Sequence, residues 1–146
     1  MTATRKRALK KTPRSEDYLE TVHHLIRDKG YAKTTDISAK LDVKPPTVTS
    51  MLGKLAAKGY LLYEPYRGMK LTDKGEKAAV SVIRRHEVIS GFLSMLGVDD
   101  RIAYQDTEGI EHHVHPETME RIERMAEYLR RNPRLLRSIR DYVDRR

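Results

Sequence analysis

A chain with no cysteine forms no disulfide, carries no thiolate nucleophile and offers no sulfur ligand to zinc or an iron–sulfur cluster. Any metal it holds must be bound through oxygen and nitrogen. Tryptophan is also missing and phenylalanine occurs once, so the core must be aliphatic, supplemented by eight tyrosines, a composition that suits helices. No apolar run approaches the roughly 20 residues that span a bilayer, and the N-terminus MTATRKRALKKTPR lacks the apolar segment of a secretory signal. The expectation is a cytoplasmic protein with no membrane partner. At 146 residues the chain suffices for one domain or two small ones sharing a core, which excludes a large multidomain enzyme.

What is present is positive charge, and it is unevenly placed. Residues 1 to 71 hold 15 Lys and Arg against 7 Asp and Glu, whereas residues 72 to 146 hold 14 against 14, so the whole net charge of +8 lies in the first half. A basic half joined to a neutral half describes a polyanion-binding module attached to something else; the plainer alternative is a soluble basic surface. Residues 1–14, with Arg5, Lys6, Arg7, Lys10, Lys11 and Arg14 and almost no apolar content, are expected to be a flexible basic arm.

Within SEDYLETVHHLIRDKGY, Leu19, Val22 and Ile26 recur at helical spacing, Ser15 offers an N-cap and Gly30 a stop. Two short helices follow. Thr35 is the expected cap of the first, which turns Ile37 and Leu41 inward; Asp42 to Lys44 form a turn, and Pro46 sits near the start of the second. In that second helix Val48, Leu52 and Leu55 must face the core, leaving Pro46, Thr47, Ser50, Gly53 and Lys54 on the opposite face. Small and polar residues on a helix after a tight turn describe a helix-turn-helix whose second helix is free to enter a major groove. Two β-rich runs, Leu61 to Tyr63 and Met69 to Leu71, flank a Pro and Gly turn carrying Arg67, which adds a wing with a cation at its tip.

Thr72 then caps a long helix ending at Gly97, with an apolar stripe (Ala79, Val82, Ile83, Ile89, Phe92 and Leu96 among others) wide enough to meet another subunit. Residues 105–114 are expected to be helical, followed by PETMERIERMAEYLRR opened by Pro116, and NPRLLRSIRDYVDRR adds a last helix. The predicted fold is mostly α: a basic arm (1–14), an N-terminal winged helix-turn-helix with a small β-hairpin wing (15–72), and an α-helical dimerisation and metal-binding domain (73–146).

The decade DTEGIEHHVH is the chain's densest group of acids and imidazoles. On a helix Glu108, Glu111 and His112 share a face, with His113 rotated away. An exposed polar face is the ordinary explanation of such a triplet, and metal binding is the alternative. Asp17 and Glu20 stand at i, i+3 on the first helix, and His86 lies mid-helix between Arg85 and Glu87, so three separate elements supply potential ligands. His24 shares a face with Glu20, but His23, His24 and His113 carry less weight, and His115 before Pro116 suits a cap. RHEVIS begins like a zincin motif and fails at Ser90, where a second His is required.

Taken in order and spacing, SEDYLETVHHLIRDKGYAKTTDIS, KPPTVTSMLGKL, YEPYRGMKLTDKG, RRHEVISGFL and DTEGIEHHV resemble the diphtheria toxin repressor family of metal-dependent transcriptional repressors, most closely its manganese-transport-regulator branch, over roughly residues 12 to 130. The resemblance implies two divalent ions per subunit, held by Asp17, Glu20, His86, Glu108, Glu111 and His112. Mn²⁺ suits such a thiolate-free, carboxylate-rich set, while Fe²⁺, Co²⁺ or Zn²⁺ can bind as tightly. The iron-sensing branch has Met and Cys at the positions of Asp17 and Glu108 and carries a further SH3-like domain, and neither feature is expected here. The resemblance also implies a homodimer on a palindromic double-stranded operator, with Lys44, Pro46 and Ser50 near base edges and Thr47 and Thr49 near phosphates. Lys54, Arg67 and the arm add cationic surface. Ser50 stands where the iron branch has Gln, so the operator sequence does not carry over. The implied function is repression of metal-uptake genes when Mn²⁺ is bound, without enzymatic activity. Two rivals are a winged helix that regulates without metal and a dinuclear metal hydrolase.

Overall fold

A computed structural model describes residues 13–64 and 68–145. The chain divides into two compact units, one ending at Glu76 and the other beginning at Lys77. Among the described residues no helix is long and apolar enough to cross a membrane.

The first unit contains α1 (Ser15–Lys29), α2 (Thr34–Leu41), α3 (Pro45–Ala57) and an antiparallel hairpin, β1 (Leu61–Glu64) and β2 (Gly68–Leu71). Its core is aliphatic, as expected: Leu19, Val22 and Leu25 from α1, Ile37 from α2, Val48, Leu52 and Leu55 from α3, and Leu61 and Met69 from the hairpin, with Tyr18 wholly buried among the largest side chains. Ile26 and Leu41, expected to face inward, are only half-buried; Leu25 holds the place of Ile26, and Ile37 alone carries the core face of α2. Gly30 ends α1 at φ +81. The turn between α2 and α3 rests on Asp42 at φ 52, a left-handed conformation that Asp tolerates better than most residues, and Ser38 Oγ closes it by donating to Val43 O at 2.5 Å. The hairpin pairs Leu61 with Leu71 and Tyr63 with Met69, and an isolated bridge from Ala32 to Met69 ties it to the segment after α1. This is a winged helix-turn-helix.

Two caps differ from expectation. Ser15 is the first helical residue of α1 and Arg14 the cap; the helix start is secured by Asp17, whose carboxylate accepts from the Arg14 N–H at 2.6 Å. Likewise α2 begins at Thr34 with Lys33 at the cap, so Thr35 lies inside the helix. In both, a side chain able to cap sits one or two residues past the position that needs it. Thr72 does cap α4 (Asp73–Met95): its hydroxyl accepts from Gly75 N–H at 3.1 Å and donates to Gly59 O at 2.6 Å.

From Lys77 onward the second unit is helical: the remainder of α4, then α5 (Asp100–Ile110), a 3₁₀ turn (Glu111–His113), α6 (Pro116–Arg131) and α7 (Pro133–Asp144). Helix α5 starts five residues earlier than expected because Asp99 caps it, accepting from the Arg101 and Ile102 N–H groups at 3.1 and 3.4 Å. It also ends earlier, so the expected single helix over 105–114 is α5 followed by a tighter turn. Arg84 joins α4 to α6 through both carboxylate oxygens of Glu123 at 2.6 Å. Helix α4 gives way to Gly97 at φ +94, beside the Arg140 guanidinium, which donates to Met95 O at 3.4 Å.

Gly97→Ala is therefore expected to destabilise the protein by about 1–2 kcal/mol, mainly through the left-handed backbone, since Arg140 can move aside. Gly91→Ala, in mid-α4 where the added methyl would meet nothing among the described residues beyond its own helix backbone, should be neutral or mildly stabilising. Thermal unfolding of both variants checks this; equal effects would refute it.

Candidate metal centre and DNA-reading surface

Helix α4 carries His86 in mid-helix, α5 carries Glu108 in its last turn, and the 3₁₀ turn begins at Glu111. These three converge. His86 Nδ1 lies 2.7 Å from Glu111 Oε2 and 3.2 Å from Glu108 Oε1, and one donor atom of each residue lies within 4.8 Å of the others. The tightening from α-helix to 3₁₀ at Ile110 matters here, because i→i+3 geometry sets where Glu111 and His112 emerge relative to Glu108. Arg85 supports the turn by donating to Glu111 O at 3.4 Å. His112, 3% exposed at its side chain, brings Nε2 to 3.5 Å from Glu111 Oε1.

Glu111 is the unusual member, a carboxylate only 1% exposed. Burying such a group is costly unless cations and donors surround it. Its Oε2 meets His86, yet Oε1 finds no hydrogen-bond donor among the described residues, the His112 contact at 3.5 Å being too long to count as one. A buried, orphaned carboxylate oxygen beside a second carboxylate and an imidazole is a donor set that fits a hard divalent cation.

His86 reports the same negative surroundings. Hydrogen bonding to Glu108 and then to Glu111, reinforced by their charge, outweighs the burial that favours a neutral ring and pushes its pKa from 6.5 up to about 10. An imidazolium cannot ligate a metal, so binding must displace this proton. Its ring also meets the ring of Tyr104, one α5 turn before Glu108, edge to face at a centroid distance of 4.5 Å and 62°. Sequence reasoning passed over Tyr104; its i, i+4 spacing to Glu108 was the available signal.

In the first unit Asp17 serves the start of α1, and Glu20 lies 3.6 Å from His24 Nε2. Burial, followed by the neighbouring Arg27 charge, holds the His24 imidazole below its ordinary pKa. His23 joins α1 to the first turn of α4 through Glu76 at 2.8 Å. His115 occupies the cap position of α6, with no side-chain cap bond, and His113 is exposed.

On α3 the buried residues Val48, Leu52 and Leu55 leave Pro46, Thr47, Thr49, Ser50, Gly53 and Lys54 exposed, with Lys44 at the cap position. This face is open to a partner along its whole length. The Thr49 hydroxyl donates to Pro45 O at 3.1 Å, so that proton is committed to its own helix. Arg67 lies outside the described residues, as does the arm through residue 12.

Residues 10–69 match the iron dependent repressor N-terminal DNA binding domain, and residues 72–138 the iron dependent repressor metal binding and dimerisation domain. The chain belongs to the iron-dependent repressor family. This is the family of the diphtheria toxin repressor that the sequence resembles, and membership places the chain among transcriptional regulators rather than enzymes. It is 44% identical over 128 residues to the HTH-type transcriptional regulator MntR of Lysinibacillus sphaericus, covering 88% of this chain and 92% of that protein. The MntR of Bacillus subtilis is 45% identical over 117 residues, or 80% of this chain and 82% of that one. Among solved structures, the manganese regulator SloR is similar at a TM-score of 0.73 and 30% identity, and ScaR with bound Zn²⁺ at 0.71 and 32%. These matches cover 81% and 80% of this chain, which spans 55% of either solved chain.

Because His86 enters the metal-free site protonated, binding of a divalent ion is expected to release about one proton from it at pH 8, and affinity should rise up to about tenfold per pH unit below pH 10. Mn²⁺ titration calorimetry in two buffers of different ionisation enthalpy counts the protons. An imidazole titrating at 6.5 would release almost none at that pH, and a buffer-independent enthalpy would contradict this assignment.

Proposed function

We propose that this family member is a Mn²⁺-responsive transcriptional repressor that binds a palindromic operator as a homodimer in the cytoplasm and silences metal-uptake genes when metal is available. The observation that carries the proposal is the convergence of His86, Glu108 and the buried Glu111 in a chain that matches both domains of a metal-dependent repressor family. Identity above 40% to MntR proteins supports manganese as the signal. Following the resemblance, Asp17, Glu20 and His112 complete a ligand set for two ions, and Fe²⁺, Co²⁺ or Zn²⁺ remain chemically competent for the same oxygen and nitrogen donors.

When bound, the ions supply the positive charge that four carboxylates otherwise lack. The chain's own groups do the rest. Glu111 holds a position already stripped of water, His86 yields its proton, and Asp17 and Glu20 give the DNA-reading unit a stake in occupancy, so that order in that unit becomes linked to metal. Lys44, Pro46 and Ser50 then read base edges, Thr47 and Thr49 lie along phosphates, and Lys54, Arg67 and the arm add salt-dependent attraction. Dimerisation is supported by exposed apolar side chains in the C-terminal unit, among them Ile102, Ile110, Met125, Tyr128 and Val143.

Coupling of this kind amounts to about 1–3 kcal/mol, a 5- to 150-fold gain in operator affinity. Titrating operator DNA with and without Mn²⁺ should show that gain in the wild-type protein and its loss in Glu111→Ala. Equal metal dependence in the two proteins would end the proposal.

A further inference from the structure

A metal-ligating histidine is ordinarily held in place from behind: the ring nitrogen that does not face the metal donates to a carboxylate, a backbone carbonyl or water, which fixes both tautomer and ring rotation. His86 departs from this arrangement. Its Nδ1 faces Glu108 and Glu111, but its Nε2 is buried without a hydrogen-bond partner among the described residues. Something else must hold the ring, since an imidazole free to turn about its last torsion would lose the alignment of Nδ1 with two carboxylates. The ring in contact with it is Tyr104, packed edge to face at 4.5 Å. That geometry is one aromatic pairs prefer, and turning the His86 ring away from it would give up the contact.

We propose that Tyr104 is a positioning residue for the metal centre, its aromatic ring replacing the missing hydrogen bond behind His86 and fixing the direction in which Nδ1 points. The proposal rests on the assignment of His86, Glu108 and Glu111 as ligands. It concerns the ring of Tyr104 and gives its hydroxyl no part. Because Tyr104 and Glu108 lie one turn apart on α5, the residue that sets the imidazole also shares a helix with a ligand, and the two are placed together. Tyr104 is 55% exposed, so its replacement leaves the core of the unit intact.

The test compares Tyr104→Ala and Tyr104→Phe with the wild-type protein, using Mn²⁺ titration calorimetry and the visible absorption of the Co²⁺ form, which reports ligand geometry independently of DNA binding. Tyr104→Ala should bind Mn²⁺ about tenfold or more weakly with a changed Co²⁺ spectrum, while Tyr104→Phe stays close to wild type in both. Thermal unfolding and sedimentation of the metal-free proteins should be alike in all three. Wild-type affinity in Tyr104→Ala, an equal loss in Tyr104→Phe, or dissociation of the Tyr104→Ala dimer would each overturn the proposal. Failure of the wild-type protein to bind Mn²⁺ or Co²⁺ would instead remove the ligand assignment, and this proposal with it.

Discussion

A carboxylate that is 1% exposed is costly to bury without cations and donors around it, and the candidate function of this chain turns on what accompanies Glu111. One oxygen has the His86 ring; the other has no donor among the described residues. A proton on His86 offsets part of the local negative charge, and a dication held there would offset more. Under the proposed function proton and metal would therefore compete for one position, and occupancy would follow metal supply within limits set by pH.

The DNA-reading unit obeys a simpler constraint. An aliphatic core made from one face of each short helix leaves the other face of α3 nothing to do inside the unit, and that face carries only small, polar or cationic side chains. Short side chains such as Thr47 and Ser50 would let a helix approach a groove closely, and a cation such as Lys54 would attract phosphates without dictating sequence. The fold alone is compatible with a protein partner, and it is the match of residues 10–69 to a DNA binding domain that favours DNA as the partner of this unit.

Much of this was legible in the sequence, for identifiable reasons. Helical periodicity placed Val48, Leu52 and Leu55 in the core, Gly30 and Thr72 bounded their helices, and paired β-rich runs around a Pro and Gly turn gave the wing. Local caps were less legible: Ser15 and Thr35 are good cap residues that fall inside helices, because the chain path before them fixes where each helix begins. The acid- and imidazole-rich decade stands out by its residues and not by its shape, since the change from α-helix to 3₁₀ at Glu111 leaves no mark in periodicity. Contacts between elements depend on how helices pack: Arg84 on Glu123 has no signature along a single chain, and the spacing of Tyr104 to Glu108 puts the two on one face without showing that the ring meets His86.

The most direct measurement of the central claim is anomalous X-ray diffraction at the manganese absorption edge from crystals grown with Mn²⁺. An anomalous peak bonded to Glu111, Glu108 and His86 Nδ1 is expected. A structure with Mn²⁺ bound elsewhere, or with Glu111 still paired to a protonated His86 at saturating Mn²⁺, would contradict it.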